Sequence, residues 1–248
     1  MNVSLYQAAA AMNANDRWQE MISQNLSSGS NPGYRKQDVS FTQVQAGLNA
    51  GSGSISISRS GHSIPVATAS TNFTQGTLRT TGSNMDFAVE GSGFFEVQLP
   101  NGDHAFTRDG EFSLNAQGQV VTKQGYTVLS DSGPIQMDPA NSSPLNIAPT
   151  GEISQGADTK GKLKIVEFAQ PNQLTSIGQG CFLANGQPAQ DSTTSLVRQG
   201  FLEGANTSPT AEMVSLITAM RMFEANNRSL SMQDERMGKV ISDLGNAS

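Results

Sequence analysis

Residues 208–244 read SPTAEMVSLITAMRMFEANNRSLSMQDERMGKVISDL, and an apolar side chain recurs in this stretch every seven residues. Ser208 offers a capping hydroxyl and Pro209 suits the first helical position, so we predict that a helix begins here. The apolar seam of this helix comprises Met213, Leu216, Met220, Phe223, Leu230, Met237, Ile241 and Leu244. Because the seam is narrow and long, it favours a coiled coil with a partner helix over packing on a domain of its own.

A second helix is predicted at the N-terminal end, over residues 3–26, where Pro and Gly are absent and Ala, Met, Gln and Leu dominate. Its apolar residues fall on two adjoining stripes, which indicates more than one neighbour. The candidate contact residues are Leu5, Met12, Trp18, Ile22 and Leu26. We expect the two terminal helices to pair with each other as a coiled coil.

Between the two helices, the period of the hydrophobic pattern changes to two. Phe95, Val97 and Leu99 alternate with polar residues, and Asn101-Gly102 follows as a hairpin signal. Turn dipeptides that contain Gly then recur about every eight residues. Short strands with turns at this spacing predict a central all-β domain, either a sandwich or a distorted barrel.

The sequence therefore predicts an α+β fold in which the β domain is inserted between the terminal helices. We expect four segments: residues 1–45 as the N-terminal helix and its junction, 46–75 as a Gly/Ser-rich extended connector, 76–190 as the central β domain, and 191–248 as a return segment with the C-terminal helix.

Small residues follow the first helix, where residues 22–36 read ISQNLSSGSNPGYRK. A loop that binds an anion would need a helix that starts after the glycine run. Here the helix precedes the run, and the proline disfavours helix at the residue before it. We interpret the run as a joint where the chain leaves the helix, and the junction residues are Asn25, Pro32, Gly33, Tyr34 and Arg35.

Composition and charge limit the classes of function. The formal net charge of −6 and the sequence pI of about 4.9 disfavour nucleic acid, which is bound by clustered Lys and Arg. No apolar stretch reaches the roughly 20 residues of a membrane span. Residues 1–15 lack the basic start of a signal peptide. We expect a protein that is not embedded in a membrane and that leaves the cytoplasm, if at all, without cleavage of a signal peptide.

The sequence contains no recognisable enzyme signature. His62 and His104 fall in the connector and in a hairpin loop, and Cys181, the single cysteine, is expected to be a small buried hydrophobe. Residues 156–162 match G-x-x-x-x-G-K, but Leu163 follows where a phosphate loop needs Ser or Thr and then a helix. We expect no catalytic residue, cofactor, metal or small-molecule substrate, although sequence alone leaves a glycosidase-type carboxylate pair open.

Three blocks of the sequence resemble bacterial flagellar rod and hook proteins. They are the junction after the first helix, residues 75–97 (QGTLRTTGSNMDFAVEGSGFFEV) with 106–129 (FTRDGEFSLNAQGQVVTKQGYTVL), and residues 197–228 (VRQGFLEGANTSPTAEMVSLITAMRMFEANNR). The third block contains Glu203, Asn206 and Glu212. The chain length and the segment KGKLKIVEF are most similar to the proximal rod protein, with a distal rod or hook-type subunit as the alternative.

The resemblance implies a structural subunit whose paired terminal helices form the inner wall of a hollow helical rod that transmits torque and passes export substrates. It implies three partners: copies of the chain itself, other axial rod and hook proteins, and the flagellar type III export apparatus. The implied location is the basal body, in a rod that crosses the periplasm. The alternative from another class is a secreted all-β hydrolase or adhesin whose helices pack on its own domain.

Overall fold

The computed structural model describes residues 3–46, 62–138, 141, 143 and 145–245. It contains two long helices, α1 (Val3–Ser28) and α2 (Pro209–Gly245), and a short 3-10 turn at Pro171–Gln173. The strands are, in chain order, β1 (Gln37–Ala46), β2 (His62–Thr71), β3 (Leu78–Thr80), β4 (Phe87–Glu90), β5 (Phe94–Gln98), β6 (His104–Thr107), β7 (Phe112–Leu114), β8 (Val120–Thr122), β9 (Thr127–Ser130), β10 (Gly133–Pro134), β11 (Leu145–Ile147), β12 (Glu152–Gln155), β13 (Asp158–Lys162), β14 (Ile165–Glu167), β15 (Thr175–Gly178), β16 (Cys181–Leu183), β17 (Gln190–Asp191), β18 (Leu196–Gln199) and β19 (Phe201–Glu203). The chain is therefore mixed, with mostly strands between two terminal helices.

The chain divides into two compact units. The first unit consists of Met1–Ser27, Gln37–Ser70 and Ser208–Ser248, and the second of Ser28–Lys36 and Thr71–Thr207. Both long helices and the β1–β2 pair belong to the first unit. Residues 47–61 of the predicted connector lie outside the described residues, and strand β2 begins immediately after them.

The two helices of the first unit contact each other through buried polar groups. Asn15 Nδ2 donates a hydrogen bond of 2.9 Å to Ala219 O, and Asn25 Nδ2 lies 3.4 Å from Glu212 Oε2. The later residue of α1 meets the earlier residue of α2, so the helices run antiparallel. Helix α2 begins as predicted, with Glu212 N donating to Ser208 O at 2.9 Å.

The second unit is built on one large antiparallel sheet. Its strand order is β15-β16-β6-β5-β9-β8-β7, with β10 beside β9, β14 beside β5, and β17 beside β14. Within the described residues this order is an open path that ends at β15 and β7. The all-β centre is therefore confirmed, but the sheet does not close into a barrel.

Three smaller sheets complete the second unit: β11-β12-β13, β18-β4 and β19-β3. The last two sheets pair the chain that enters the second unit (β3 and β4, the outgoing chain) with the chain that leaves it (β18 and β19, the returning chain). In these pairs Val197 lies opposite Val89, and Leu202 lies opposite Arg79. Residues 156 and 157 of the G-x-x-x-x-G-K match form the turn between β12 and β13, and residues 158–162 of the match are strand β13 itself, with no helix after them.

Alternating strand residues fill the core of the second unit. Phe95, Val97 and Val128 are fully buried in its main cluster. Cys181 belongs to the same cluster, and burial raises the pKa of its thiol to about 11. This matches the expected small apolar role, because a thiol with a raised pKa is a poor nucleophile at neutral pH.

Candidate functional site

Asn25, in the last turn of α1, holds the start of β1. Its Nδ2 donates to Gln37 O at 2.9 Å, and Gln37 N donates to its Oδ1 at 2.8 Å. The side-chain amide therefore pairs with one residue of β1 as a neighbouring strand would. Asn25 is 2% exposed, so its replacement by an apolar residue would leave two partly buried backbone groups of Gln37 without this partner.

The loop after α1 contains Gly33, which belongs to the second unit and lies against the backbone of Arg108 and Asp109 in the same unit. Gly33 has φ +67°, and its N–H donates to Glu203 O at 2.7 Å. A Cβ at this position would lie 2.7 Å from Arg108 O and closer still to Arg108 C and Asp109 N. Gly33 is required here for its positive φ and for the space that its missing side chain leaves.

A buried ionic cluster lies next to this glycine, and we call it the Glu203 clasp: Arg35, Arg108, Glu203 and the N–H of Gly76. Arg35 Nη1 lies 2.7 Å from Glu203 Oε1, and Arg108 Nη1 lies 3.3 Å from Glu203 Oε2. Gly76 N donates to Glu203 Oε1 at 2.7 Å. The three charged side chains are 0–3% exposed. One carboxylate thus joins four segments that are far apart in sequence.

The two arginines of the clasp make further contacts. Arg35 Nη1 donates to Thr74 O at 2.8 Å, and Arg108 Nη2 donates to Gly91 O at 2.7 Å. The Arg108 guanidinium also lies 4.8 Å from the centre of the Phe94 ring. Burial lowers the pKa of Arg108 to about 10, against the opposing effect of the Glu203 carboxylate. Arg108 therefore remains a cation at neutral pH.

Asn206, close to the start of α2 in sequence, forms a second polar node in the same unit. Its Oδ1 accepts from Lys36 N at 2.7 Å, and its Nδ2 donates to Asn72 O at 2.8 Å and to Thr74 O at 3.0 Å. Its backbone N–H donates to Tyr34 O at 3.3 Å. The chain that follows α1 and the chain that precedes α2 are therefore held side by side.

Asp109 follows Arg108 and lines a polar cleft of about 590 Å³ together with Pro32, Tyr34 and Tyr126. Burial raises the pKa of the Asp109 carboxyl to about 6, although Glu111 N donates to its Oδ1 at 3.0 Å. A carboxyl whose pKa is raised in the folded state is destabilising when it is ionised.

Asp109→Asn is expected to stabilise the chain by about 2 kcal/mol at pH 7, and this gain should fade between pH 6 and pH 4. The folded state binds the Asp109 proton more tightly than the unfolded state in that range, so wild-type stability falls as the pH rises through it. Asn keeps an oxygen for Glu111 N and carries no charge. Urea unfolding of both proteins at several pH values measures the difference, and a gain that does not vary with pH would contradict the assignment.

Two further polar networks lie among the described residues of the second unit. Ser192 donates to Glu167 Oε1 at 2.5 Å and lowers the pKa of that carboxyl, and Ser195 donates to the same oxygen at 2.8 Å. Glu96 contacts His104 Nδ1 and lies 3.0 Å from Lys164 Nζ. No group of three or more His, Cys, Asp or Glu residues in the described ranges could hold a metal ion.

The predicted seam of α2 divides into two kinds of position. Leu216, Phe223 and Leu230 are half-buried, whereas Met213 and Met220 are 53% and 52% exposed. Met237 is 40% exposed. The side chains of Ile241 and Leu244 lie outside the described residues.

The predicted contact residues of α1 are mostly covered within the first unit. Ile22 is 2% exposed, while Met12 and Leu26 are half-buried. Trp18 packs on Phe41 of β1 with ring centroids 5.6 Å apart. The side chain of Leu5 lies outside the described residues.

The sequence analysis predicts the junction residues but gives no role to Arg108, and it includes Glu203 only through the resemblance. The available signal was a lone arginine directly after strand β6 (His104–Thr107), in which every residue except His104 is buried. A charge at such a position needs a buried partner.

Neither helix, over the residues that the structure describes, is both long and apolar enough to cross a bilayer. Two family models match the chain. One, described as flagellar hook protein FlgE/F/G D1 domain, matches residues 88–155, and the other, described as flagellar basal body rod FlgEFG protein C-terminal, matches residues 198–244. The matched regions include the Arg108 and Glu203 positions of the clasp.

Similar proteins cover nearly the whole chain. The flagellar basal-body rod protein FlgG of Buchnera aphidicola (subsp. Acyrthosiphon pisum) is 31% identical, over 96% of this chain and 98% of its own. The rod protein FlgF of Mesorhizobium japonicum is 30% identical over 100% of both chains. FlgG of Borreliella burgdorferi is 30% identical over 95% of this chain and 96% of its own. This chain belongs to the flagellar basal-body rod protein family, and it is a structural subunit of the rod.

Proposed function

We propose that this subunit assembles helically through its terminal helices into a hollow drive shaft that transmits torque and lets export substrates pass. The observation that carries the proposal is an apolar face on α2, the Met213 face, formed by Met213, Ile217 and Met220. Each of these side chains is at least half exposed in the single chain. The family is a structural one and not an enzyme class, so the alternative of a secreted hydrolase or adhesin finds no support in the comparisons.

The Met213 face points away from α1. At 100° per residue its three side chains fall within about 60° of arc, centred roughly 130° around the helix from Ala219, which contacts α1. Helix α2 therefore has one face for α1 and a second apolar face that its own chain leaves exposed. Exposed apolar patches of this kind mark interaction sites.

The coiled-coil part of the proposal rests on the half-buried series. Leu216, Phe223 and Leu230 lie every seven residues on the side of α2 that includes Ala219. Met237 and Leu244 continue this spacing in sequence, and Ile241 falls at the companion position. On α1, Leu5, Met12, Trp18, Ile22 and Leu26 are the proposed counterparts.

A neighbouring copy is the proposed occupant of the Met213 face. Full burial of one Met side chain stabilises by roughly 1.5–3 kcal/mol, so a side chain that starts half exposed has about half of that left to gain. Several such side chains would support a repeated contact between copies. A head-to-tail contact that does not close on itself produces a helical filament rather than a ring.

The proposed partners are copies of this chain, other axial rod and hook proteins, and the flagellar type III export apparatus. The proposed place is the part of the basal body where the rod crosses the periplasm. We favour the proximal over the distal position, on the segment KGKLKIVEF and the chain length. The similar proteins include both FlgG and FlgF at nearly equal identity.

Replacing Met213 and Met220 together by Glu is expected to abolish assembly and motility. Charges on the face would have to be buried against a neighbouring copy without a partner, which is strongly unfavourable. Both positions are half exposed in the single chain, so its fold should be retained. Swimming in soft agar, electron microscopy of isolated basal bodies, and circular dichroism of the purified variant measure the three properties.

Thr218→Glu with Ser229→Glu is the matched control, because both positions are exposed, lie on α2 and fall outside the seam. This control should swim normally. Normal rods from the Met213→Glu, Met220→Glu variant would overturn the proposed interface. A variant of Leu216 and Phe223 is a less selective test, because those half-buried side chains also support the subunit itself.

A further inference from the structure

The Glu203 clasp carries an unbalanced positive charge. Arg35 and Arg108 are both cations, and they share the single carboxylate of Glu203. The side chains of Arg35 and Glu203 are 0% exposed, and that of Arg108 is 3% exposed. Two buried cations and one buried anion leave a net charge of +1 away from water. An uncompensated buried charge is strongly unfavourable unless something pairs with it.

Other carboxylates near the clasp are occupied elsewhere. The negative charge of Glu167 raises the pKa of Arg108 from a distance, but Glu167 Oε1 accepts hydrogen bonds from Ser192, Thr194 and Ser195. Among the described residues, Glu203 is the carboxylate that bonds to both arginines. Glu167 therefore offsets part of the charge of Arg108, but among the described residues it forms no hydrogen bond with the unused donors of Arg35.

The unused donors of Arg35 lie on one edge of its guanidinium. Arg35 Nη1 already binds Glu203 Oε1 and Thr74 O. Its Nε and Nη2 are buried and have no hydrogen-bond acceptor among the described residues, and the same holds for Arg108 Nε. The N–H bonds of Nε and Nη2 run parallel on the side of a guanidinium, and this fork is the edge that binds anions with two hydrogen bonds.

We propose that the Nε–Nη2 edge of Arg35 binds a small monovalent anion of the halide class within the Glu203 clasp. The side chain of Arg35 is fully buried, so a side chain from another copy or an organic anion would be too large to reach this edge without opening the clasp. A water molecule would satisfy the two donors and leave the net charge at +1. A halide satisfies the donors and also neutralises the cluster.

The bound anion would make the stability of the folded chain depend on which anion the salt supplies. A ligand that binds the folded state alone raises stability with the logarithm of its concentration. For a chain of this size, each tenfold rise of chloride above its dissociation constant should raise the melting temperature by roughly 3–5 °C. Sodium gluconate of the same ionic strength should give no such rise, because its anion is large.

The test compares melting temperatures of the full chain in sodium chloride and in sodium gluconate, from about 10 mM to 500 mM at matched ionic strength. Arg35→Lys keeps the cation but removes the two-donor edge, so it should lose most of the chloride dependence. Arg198→Lys is the matched control, because Arg198 pairs with Glu90 at the surface, where their side chains are 50% and 43% exposed. It should respond to chloride as the wild type does.

Crystals of the unmodified chain grown in sodium bromide give a second measurement that needs no variant. An anomalous peak within hydrogen-bond distance of Arg35 Nε and Nη2, together with the chloride dependence, is the expected result. Equal melting curves in chloride and gluconate would overturn the proposal, and so would electron density at this edge that shows water without anomalous signal. If Arg35→Lys does not fold, the two measurements on the unmodified chain decide.

Discussion

Glu203→Gln is expected to lower the free energy of unfolding by about 3–5 kcal/mol. The substitution keeps the size of the side chain and the oxygen that accepts from Gly76 N, but it removes the carboxylate charge that both Arg35 and Arg108 contact. Two buried cations would then lie close together without the carboxylate that they share, and their repulsion adds to the desolvation that already lowers the pKa of Arg108.

Urea unfolding of the full chain measures this loss. The single tryptophan, Trp18, lies in the first unit, so its fluorescence follows that unit, while the strand signal in circular dichroism is dominated by the second unit. The lower free energy of unfolding should be seen in the circular-dichroism signal of the strands. The two signals are fitted separately, because two units need not unfold together.

The control for Glu203→Gln is Glu90→Gln. Glu90 Oε2 pairs with Arg198 Nε at 2.5 Å, in a pair that is exposed to solvent. Exposed pairs contribute little to stability because solvent screens them, so this variant should unfold almost as the wild type does. Equal losses in the two variants would mean that the buried clasp has no special weight in stability.

Gly33→Ala is expected to destabilise the second unit by about 3 kcal/mol or more. A non-glycine residue at φ +67° costs roughly 1–2 kcal/mol. The added Cβ would also overlap the backbone of Arg108 and Asp109, which cannot turn aside as a flexible side chain can. Overpacking of this kind costs a further ~1–3 kcal/mol. The hydrogen bond from Gly33 N to Glu203 O would lengthen as the loop moved away.

Gly82→Ala separates the two contributions to that loss. Gly82 has a similar φ of +73°, but a Cβ built on it meets nothing within 4 Å. It should therefore lose only the ~1–2 kcal/mol of backbone strain. If urea unfolding gave the same loss for both glycines, the close approach of Gly33 to Arg108 would have no energetic importance.

The terminal helices could be predicted from sequence because their signals are local. Ser208 and Pro209 mark the start of α2, and the absence of Pro and Gly over residues 3–26 predicts α1 to within two residues of its observed end at Ser28. The turn dipeptides likewise predict short strands. Each of these signals is contained within a few residues of the structure that it specifies.

The strand order and the clasp could not be predicted, because both depend on residues far apart in the chain. Arg108 and Glu203 are 95 positions apart, and β16 pairs with β6 rather than with its successor. A periodic pattern shows which side of a strand is apolar and gives no information about its neighbour. Strand β1 lies mostly in the segment predicted as the junction, and β2 lies in the predicted connector, whose first part is rich in Gly and Ser.

The sequence pattern also could not predict which residues of the α2 seam are half-buried and which are exposed. A heptad pattern gives the apolar positions and does not say which of them a chain covers by itself. Leu216 and Met220 belong to the same predicted seam, but the first is half-buried and the second is more exposed. The difference depends on the angle at which α1 meets α2, which the buried Asn15 and Ala219 contact helps to fix.

The side-by-side course of the outgoing and returning chains has a consequence for changes in loop length. In the second unit β3 lies beside β19, and β4 lies beside β18, with Glu90 opposite Leu196. Paired residues of antiparallel strands have Cα atoms only about 5 Å apart. Whatever lies between residues 90 and 196 therefore starts and finishes at nearly the same point in space. Because the two ends of this segment lie close together, a change in the length of its exposed loops leaves the stem in place, provided that Arg108 still reaches Glu203.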